Sequence, residues 1–446
     1  MATQCGIPPG QKFIYKYHLT QPGTYWLHSH DKHQNADGLR TPLIIYDRDG
    51  PYKYDSEYLF FFEDWYTESF ISRLERTLDT TKPPPPRASG YALINGFSGN
   101  YTKPIYFEPG KIYRLRLVNM SVNEWFQFSL PGHSLCVIET DGEYTQRKCV
   151  EGIELAPAQR YSVLVTAHDT SDFNYQYKVA MYTSLQSPVP GSVPPVFLGS
   201  VVYSPSSPLR PASPSIENMV FASDIDLRSH SLEPPLPVTR SLNLTLGFGL
   251  FSNNQSLFVI NDTPYGLPKV PTLFTALTMG KLAFDPRVYG KQANAVVLNY
   301  LDAVEITINN PTNRAHPMHI HNRSFQVYEF GPIGTNALNA SAVQTNAIAP
   351  LKRDTVVVPG DKYVKIRYRA DNPGVSLLHC HIDVHGALGM VMTIVEAPDL
   401  IQQDLRIPGE IYRQCKMQNI KTRGNAAGNW GVDMTGLPPP PTLSVI

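Results

Sequence analysis

The chain has 446 residues, which at about 150 residues per domain predicts roughly three domains. Its 38 basic and 38 acidic residues cancel, which argues against nucleic acid or an anionic membrane surface as the main partner. Hydrophobic residues make up 42% of the chain, so global disorder is excluded. No apolar run approaches the ~20 residues of a transmembrane helix. The 40 prolines and the low charge predict many short strands joined by turns.

The first half of the chain alternates apolar stretches with turn residues, which predicts strands and one short amphipathic helix. The helix is indicated by Phe70, Ile71, Leu74 and Leu78 at helical spacing, and the four prolines 83–86 are expected to end it. In chain order, the strands of this half are expected at Lys12–Tyr17, Leu43–Tyr46, Tyr58–Phe62, Arg114–Leu117 and Tyr161–Val165. Residues 204–240 are rich in proline and serine, which predicts an interdomain linker.

The last third of the chain shows the clearest two-residue periods. Apolar residues alternate with polar ones over 304–308 and again over 364–369. Alternation of this kind is typical of half-buried strands, and short strands at close spacing indicate an antiparallel sandwich or barrel. The predicted fold class is therefore all-β.

Eight of the thirteen histidines fall into three short clusters. Clustering of this degree is not expected by chance, and neutral imidazole is the commonest metal ligand. We therefore predict that these eight bind metal, whereas His33 and the isolated histidines are expected to be ordinary side chains. The clusters are His28-Ser-His30, His316-Pro-Met-His319-Ile-His321 and His379-Cys-His381-Ile-Asp-Val-His385, and the isolated residues are His18, His133, His168 and His230.

The spacing in the third cluster predicts two different metal centres. On a strand, His379 and His381 point to one face while Cys380 points to the other. Four residues after His381, His385 can return to the cysteine side, and Met390 follows it. One thiolate, two imidazoles and a weak axial methionine define a blue-copper site.

The second imidazole of that site is predicted to be His316, because Pro317 displaces it from the face that carries His319 and His321. The remaining clustered histidines would then face a second centre. A tetrahedral zinc site explains neither the excess of histidines nor the His-Cys-His alternation.

Taken together, these motifs resemble those of the three-domain multicopper oxidases of the laccase and ferroxidase group, and the similarity covers essentially the whole chain. The stretches that carry it are Trp26-Leu-His-Ser-His30 with Ala36-Asp-Gly38, the cluster 316–321, Ala370-Asp-Asn-Pro-Gly374, the cluster 379–385 and Gly389-Met390. The resemblance implies three cupredoxin-like Greek-key β-barrel or sandwich domains and up to four coppers. By the family pattern, type 1 copper takes His316, Cys380, His385 and axial Met390, type 2 copper takes His319, and the type 3 pair takes His28, His30, His321, His379 and His381.

The resemblance also implies a reaction with O2 and a small reductant as partners. The reductant gives one electron at a time through the edge of His385, and Cys380 with its neighbours carries each electron to the trinuclear cluster, where O2 is reduced to two waters. Asp383 lies between two ligands, where a carboxylate in the family assists proton delivery. Orienting a ligand imidazole is an equally open role for Asp383.

One family motif is absent from the 446 residues. A His-Trp-His sequence normally precedes the His-Ser-His pair, and it supplies one type 2 and one type 3 ligand. We therefore expect the chain to begin inside its first domain, either because the gene model is incomplete or because the protein is truncated and inactive. The expected divisions are residues 1–48 for the remnant of domain 1, 49–205 for domain 2, and 206–446 for a linker (206–240) followed by domain 3 with type 1 copper.

The reductant is expected to be a phenol or an arylamine, as in laccases. The iron-oxidising branch of the family places carboxylates near type 1 copper, and the matching positions here are Pro131 and Thr312, neither of which binds ferrous iron. A ferroxidase with rearranged carboxylates and a non-catalytic blue-copper electron-transfer protein are the alternatives. We expect a monomer.

Four cysteines besides Cys380 are available for disulfides or as buried thiols. Cys136 and Cys149 flank the turn signal Asp141-Gly142, so a cross-strand bridge is predicted. Cys5 and Cys415 match positions that are often bonded in laccases. Seven Asn-x-Ser/Thr sequons hint at a secreted glycoprotein whose signal peptide is missing from the N-terminus, and these are Asn100, Asn119, Asn243, Asn254, Asn261, Asn322 and Asn339.

Overall fold

β-Strands dominate the architecture, which confirms the predicted all-β class. They form a two-stranded hairpin followed by two pairs of larger sheets, whose facing sides are buried in apolar cores. The computed structural model describes residues 2–79, 81, 89, 91–98, 102–182, 195–213, 219–334 and 340–443.

The hairpin and the first pair of sheets are built from residues 23–210. The hairpin consists of β1 (Gly23–His28) and β2 (Arg40–Ile45). The larger strands are β3 (Ser56–Trp65), β4 (Tyr91–Ile94), β5 (Phe97–Ser98), β6 (Ile105–Tyr106), β7 (Ile112–Asn119), β8 (Trp125–Ser129), β9 (Leu135–Thr140), β10 (Glu143–Val150), β11 (Gly152–Leu155), β12 (Arg160–Thr166), β13 (Asn174–Tyr182), β14 (Val196–Val202) and β15 (Leu209–Arg210). One sheet has the order β10-β9-β12-β7-β3-β4-β5 and the other β11-β8-β13-β14-β6, with β15 beside β13.

The second pair of sheets is built from residues 240–396. Its strands are β16 (Arg240–Leu250), β17 (Ser256–Ile260), β18 (Ala295–Leu298), β19 (Ala303–Asn310), β20 (His316–Ile320), β21 (Phe325–Pro332), β22 (Gln344–Thr345), β23 (Leu351–Arg353), β24 (Thr355–Val358), β25 (Lys362–Arg369), β26 (Gly374–Cys380) and β27 (Val391–Glu396). One sheet has the order β17-β16-β19-β25-β21-β22, with β23 beside β21, and the other β18-β27-β26-β20-β24.

Helices are short and mostly connect strands or cover the C-terminal end of the fold. They are α1 (Phe70–Leu78), α2 (Thr272–Thr278), α3 (Asp383–Ala387), α4 (Pro398–Asp404) and α5 (Gly409–Met417), with 3₁₀ turns at Gly280–Phe284, Pro286–Tyr289, Lys291–Ala293 and Ala340–Ala342. The predicted helix is α1, which buries Phe70 and is capped by Ser69. It ends at Leu78, and prolines 83–86, predicted to end it, lie outside the described residues.

The two strands with the clearest alternation pair with each other, as β19 and β25, with Ile306 opposite Ile366. Other neighbours differ from the antiparallel expectation, because β3 runs parallel to β7, β16 to β19 and β18 to β27. Parallel neighbours arise where a long connection crosses from one sheet to the other before the chain returns, which two-residue periodicity does not reveal.

The segment Lys12–Tyr17 forms no strand, which corrects the sequence prediction. Ile14, Tyr15 and Tyr17 are 66%, 58% and 64% exposed. A strand gains stability from a hydrogen-bonded neighbour and from burial of one face, and among the described residues no strand pairs with this segment.

The alternating arginines of β7 are buried rather than exposed. Arg114 and Arg116 are 4% and 1% exposed, and both contact the buried carboxylate of Glu139. Glu139 also accepts a hydrogen bond from the backbone N–H of Thr24 in β1, at 2.6 Å. The polar face of β7 is therefore the docking surface of the β1–β2 hairpin, which carries His28.

Two disulfides form, Cys5–Cys415 and Cys136–Cys149, as predicted. The first joins the N-terminal segment to α5 across 410 residues of sequence. In the second, Cys136 and Cys149 are directly opposite each other on β9 and β10. Cys380 is the remaining cysteine, free and buried.

Buried ion pairs join the first pair of sheets to the second. Arg353, in β23, is fully buried and contacts Asp141, in the β9–β10 turn, with 2.9 Å between Nε and Oδ2. Arg160, in β12, makes two parallel hydrogen bonds of 2.8 and 2.7 Å to Asp354. Burial opposes charge, but the facing carboxylates keep the pKa of both arginines raised.

Arg353→Met should destabilise the fold strongly, because it removes the cation nearest to the carboxylates of Asp141 and Asp224 and leaves Asp141 only the more distant Arg160, at 3.7 Å. Loss of one member of a buried pair costs about 3–5 kcal/mol, and we expect a fall of this order in the free energy of unfolding. Denaturant midpoints measure it. Arg287→Met is the control, since Arg287 is 75% exposed beside Asp285 and its loss should leave the midpoint unchanged. Equal midpoints for the two variants would contradict this prediction.

Candidate metal centres

The predicted ligands on β20 and β26 separate onto two faces because the two strands are paired in a fixed register. Met318 lies opposite Cys380, and His319 lies opposite His379. Side chains of directly opposed residues point to the same side of a sheet. Cys380 therefore shares a face with the even-numbered His316, while His379 shares the other face with His319.

The first cluster consists of His316, Cys380 and His385. The Nδ1 atoms of the two imidazoles are 3.1 Å apart, and Cys380 Sγ lies 3.7 Å from His316 Nδ1 and 3.5 Å from His385 Nδ1. All three residues are buried. Two nitrogens and one sulfur converging in this way match the donor set of a blue-copper site.

Backbone hydrogen bonds place His385 and Met390 around this cluster. The single turn of α3 is closed by a bond from the His385 N–H to the Ile382 carbonyl, at 2.9 Å, and it brings His385 back to the side of Cys380. The Met390 N–H bonds to the His385 carbonyl, and the Met390 carbonyl accepts from the Cys380 N–H. Met390 is fully buried.

The imidazole of His316 is held in one tautomer by its neighbours. Its Nε2 lies 3.1 Å from the Thr312 hydroxyl, which itself donates to Asn310 Oδ1 at 2.6 Å. The hydroxyl proton is thus committed to Asn310, so Nε2 donates and Nδ1 keeps its lone pair toward Cys380. Burial lowers the pKa of His316 to about 4, and the charge of Arg314 adds to that effect.

The second cluster is centred on His30, His321 and His379, whose ring nitrogens lie within 4.8 Å of one another. His321 Nε2 and His379 Nε2 are 3.0 Å apart. Three further rings surround them, with ring-centre distances of 5.4 Å for His28–His30, 5.3 Å for His28–His381 and 5.7 Å for His319–His381. The structure thus brings together all six histidines predicted for a second centre.

Backbone carbonyls fix the tautomers in this cluster. The Nδ1 atoms of His28, His319 and His379 lie 3.1, 2.9 and 3.0 Å from the carbonyls of Ser29, Asp354 and Cys380. A carbonyl only accepts, so each Nδ1 carries the proton and each Nε2 offers its lone pair. Burial lowers the pKa of His379 to about 3 and that of His381 well below its usual range, so both stay neutral. Neutral imidazoles with free lone pairs facing one another fit metal ions.

Profiles of the multicopper oxidase family match residues 1–50, 56–193 and 265–400. The chain is 35% identical over 444 residues to the iron transport multicopper oxidase fio1 of Schizosaccharomyces pombe, covering 99% of this chain and 71% of that protein. The chain belongs to the multicopper oxidases. It is also 34% identical over 477 residues to the iron multicopper oxidase fer1 of Mycosarcoma maydis, covering 99% of this chain and 75% of the relative.

Solved structures agree with this family. The chain therefore has cupredoxin-like domains, and its cofactor is copper. The crystal structure of Fet3p, a multicopper oxidase that functions in iron import, superposes with a TM-score of 0.88 at 27% identity, covering 99% of this chain and 85% of that one. The L499M mutant of the laccase from B. aclada superposes with a TM-score of 0.75 at 25% identity, covering 98% of this chain and 81% of that one.

A cavity of about 340 Å³ adjoins the first cluster of the oxidase and is bordered by His316 and His385. Its walls come from both pairs of sheets, with Tyr66, Phe70 and Trp125 on one side and Phe258 on the other. Phe258 stacks on the His385 ring with 4.0 Å between ring centres. The cavity is therefore the place where a reductant can reach the edge of a predicted copper ligand.

The two positions expected to carry iron-binding carboxylates differ in their placement. Thr312 borders the cavity, but Pro131 does not, and it is exposed at the far end of β8. Asn123, beside Trp125 at the near end of β8, borders the cavity instead. Pro131 was expected at this site but lies eight residues after Asn123, and at about 3.3 Å per strand residue it is too far along the chain to border the cavity.

His33 makes a contact that the sequence did not reveal. Its Nδ1 lies 3.8 Å from Oδ2 of Asp383, and its ring lies against Phe70. Asp383 is 8% exposed, and its Oδ2 accepts no hydrogen bond from the described residues. His33 is not in either cluster, as predicted, but it faces the carboxylate proposed for proton delivery. His133 and His168, predicted to be isolated, are neighbours with ring centres 4.5 Å apart.

The affinity of the first cluster for a metal ion should rise with pH. Burial raises the pKa of the Cys380 thiol far above neutrality, so an ion that binds the thiolate must displace a proton. We expect the affinity for Co²⁺, a probe that does not oxidise thiols, to rise about tenfold per pH unit between pH 6 and 8. Chelator competition read by the thiolate–cobalt absorption measures it. The control Cys380→Ser should lose the absorption band, and an affinity independent of pH would contradict the prediction.

Proposed function

We propose that the oxidase withdraws single electrons from a reductant in the cavity beside His385 and delivers them to the second cluster, where O2 is reduced. Bound copper would supply the one-electron redox chemistry at both clusters. The observation that carries the proposal is covalent continuity, since Cys380 belongs to the first cluster and its direct neighbours His379 and His381 belong to the second. Four encounters supply four electrons, which with four protons convert O2 to two waters.

The reductant that we propose first is ferrous iron, which loses one electron to become ferric iron. The support comes from relatives that align over nearly the whole chain and are named as iron transport or iron multicopper oxidases. The higher TM-score to Fet3p than to the laccase points the same way.

A second candidate is a phenol or an arylamine, which loses one electron and one proton in each encounter. The cavity favours it, because Tyr66, Phe70, Trp125 and Phe258 offer flat apolar surfaces and none of the described bordering residues is Asp or Glu. Carboxylates are the ligands that hard cations prefer. The described wall of the cavity offers none, so ferrous iron would have to give its electron there without a carboxylate ligand from that wall.

Asp383 would control proton transfer, and Thr312 and the aromatic walls would control the geometry and the solvent access of the first cluster. Asp383 Oδ2, buried and without a hydrogen-bond donor among the described residues, is a group that can hold a proton near the second cluster, two residues after His381. Thr312 keeps the His316 lone pair directed at the first cluster, and the aromatic walls exclude water from it.

An extracellular location remains our proposal. Both disulfides support it, because such bonds persist in oxidising compartments. Asn243, Asn254, Asn261 and Asn322 are exposed and accessible to glycosylation, whereas Asn119 is fully buried and is excluded as a glycan site in the folded protein. Asn100 and Asn339 lie outside the described residues. Among the described residues no helix is both long and apolar enough to cross a bilayer.

Oxygen uptake by the copper-loaded chain distinguishes the candidates. Ferrous iron and 2,6-dimethoxyphenol are compared at matched concentrations, and Cys380→Ser, which removes the sulfur but none of the six histidines of the second cluster, should lose activity with both. Faster uptake with iron supports the first candidate, and faster uptake with the phenol supports the second. An intact thiolate–copper absorption band without oxygen uptake on either reductant would overturn the oxidase proposal in favour of a non-catalytic electron-transfer protein.

Asp383→Asn should slow oxygen reduction without slowing electron entry, because an amide cannot hold the transferred proton. Loss of a positioned acid or base typically costs 10²–10⁴-fold, and we expect a fall of at least about tenfold in steady-state oxygen uptake. Anaerobic bleaching of the thiolate–copper band by the reductant should stay unchanged. Asp383→Glu is the control that restores part of the uptake, and equal losses in both measurements would contradict the prediction.

A further inference from the structure

The cavity beside His385 carries two arginines on opposite walls. Arg73 comes from α1, which follows β3 of the first pair of sheets. Arg314 comes from the loop between β19 and β20 of the second pair. Neither the helix nor the loop contributes a carboxylate to the described wall. The cavity therefore combines aromatic surfaces with two positive charges next to a predicted copper ligand.

Both arginines are attached to well-defined supports. The guanidinium of Arg73 lies over the ring of Tyr66, 3.5 Å from its centre, and Tyr66 borders the same cavity. The loop that carries Arg314 is anchored by Asn310, whose side-chain amide donates to the carbonyls of Arg314, Val358 and Pro359 at 2.6, 3.0 and 3.1 Å. The positive charges are thus built into the wall rather than carried on a free segment.

Buried carboxylates lie near this wall without bordering the cavity, and those nearest Tyr66 are Asp64 and Glu124. Glu124 contacts Tyr66, but it is 1% exposed and accepts hydrogen bonds from the Ser89 N–H and the Asn123 amide, at 2.9 and 3.1 Å. It lies behind Asn123 and Tyr66, which border the cavity. Arg314, by contrast, is exposed. Among the described residues that border the cavity, the charged side chains are therefore those of Arg73 and Arg314.

We propose that Arg73 and Arg314 make this cavity select reductants that carry negative charge, with a carboxylate as the recognised group. The inference rests on the proposed function, since it names the chemistry of the reductant that gives its electron at the edge of His385. Two sources have this chemistry, namely a phenol that bears a ring carboxylate and ferrous iron held in a carboxylate chelate of net negative charge. Hydrated ferrous iron, a dication, would be repelled by the same two residues.

The electron balance is the same for both sources. A carboxylated phenol gives one electron to the protein and its hydroxyl proton to water, while its carboxylate stays bound and unchanged. A ferrous chelate gives one electron and becomes a ferric chelate. The electron acceptor is the first cluster, and O2 is the final oxidant.

Anaerobic bleaching of the thiolate–copper band measures electron entry alone. The second-order rate constants are compared for 4-hydroxy-3,5-dimethoxybenzoate and for neutral 2,6-dimethoxyphenol in the wild-type chain, Arg73→Gln, Arg314→Gln and the double variant. We expect each single variant to lower the rate constant for the anion about 3- to 10-fold and to change that for the neutral phenol less than twofold. Raising the salt from 0.05 to 0.5 M should shrink the difference, because salt screens exposed charges.

Matched variants separate charge from packing. Arg73→Lys and Arg314→Lys keep the charge and should keep the preference for the anion. Arg76→Gln is the control on the same helix, since Arg76 is paired with Glu68 and does not border the cavity. Equal losses for anion and neutral phenol, or an effect of Arg76→Gln as large as that of Arg73→Gln, would overturn the inference.

A binding measurement adds a readout that does not require electron transfer. Calorimetry with 3,4,5-trimethoxybenzoate, which has no phenolic hydroxyl to oxidise, should show binding to the copper-loaded chain that is weakened by Arg314→Gln and retained in Arg314→Lys. Binding that is unaffected by both substitutions would overturn the inference.

A comparison of two forms of ferrous iron shows whether the recognised carboxylate belongs to an iron chelate or to an aromatic acid. Ferrous citrate and hydrated ferrous iron are compared in the wild-type chain and Arg314→Glu, with spontaneous oxidation subtracted. A preference for the citrate complex that Arg314→Glu reverses supports a chelate as the source, and an effect confined to the phenol pair supports the aromatic acid. Reduction of wild-type copper by all four reductants without any charge dependence overturns this inference alone, whereas absence of reduction by any of them overturns the proposed function itself.

Discussion

The alternation of side chains along β26 is the constraint on which both metal centres depend. Cys380 faces one side of the strand, and His379 faces the other, so one strand end supplies ligands to two clusters. The pairing of β26 with β20 repeats this division, because the register places His319 opposite His379 and leaves His316 on the cysteine side. A shift of one residue in that register would exchange the faces and dismantle both clusters together.

Desolvation is the second constraint, and it favours the neutral form of the buried groups. It lowers the pKa of His379 and His381 and raises that of the Cys380 thiol, so these three neighbours are neutral rather than mutually repelling. Carbonyls from the neighbouring backbone then decide which imidazole nitrogen carries the proton. In His28 and His379 this carbonyl belongs to the very next residue, so local strand geometry orients the lone pair before any metal is bound.

Much of the fold and nearly all members of the two side-chain clusters could be predicted from the sequence, because their signals are local. Two-residue periodicity located β19 and β25, and spacing alone put His379 and Cys380 on opposite faces. The errors concern partners that are distant in sequence. Buried Arg114 looks like an exposed strand residue until Glu139, 25 positions away, is placed beside it. The contact of His33 with Asp383 spans 350 positions, and no periodicity carries that information.

The electron-entry cavity obeys a looser constraint than the clusters do. Part of its wall comes from α1 and from the loop anchored by Asn310, two connecting segments that lie outside the sheet containing β20 and β26. Replacement of Arg73 or Arg314 is therefore expected to change what can approach His385 while leaving β20 and β26 in register. Proteins of this family can for this reason differ in reductant, and the similarity to an iron transport multicopper oxidase shows the family of this chain rather than the chemical species that enters the cavity.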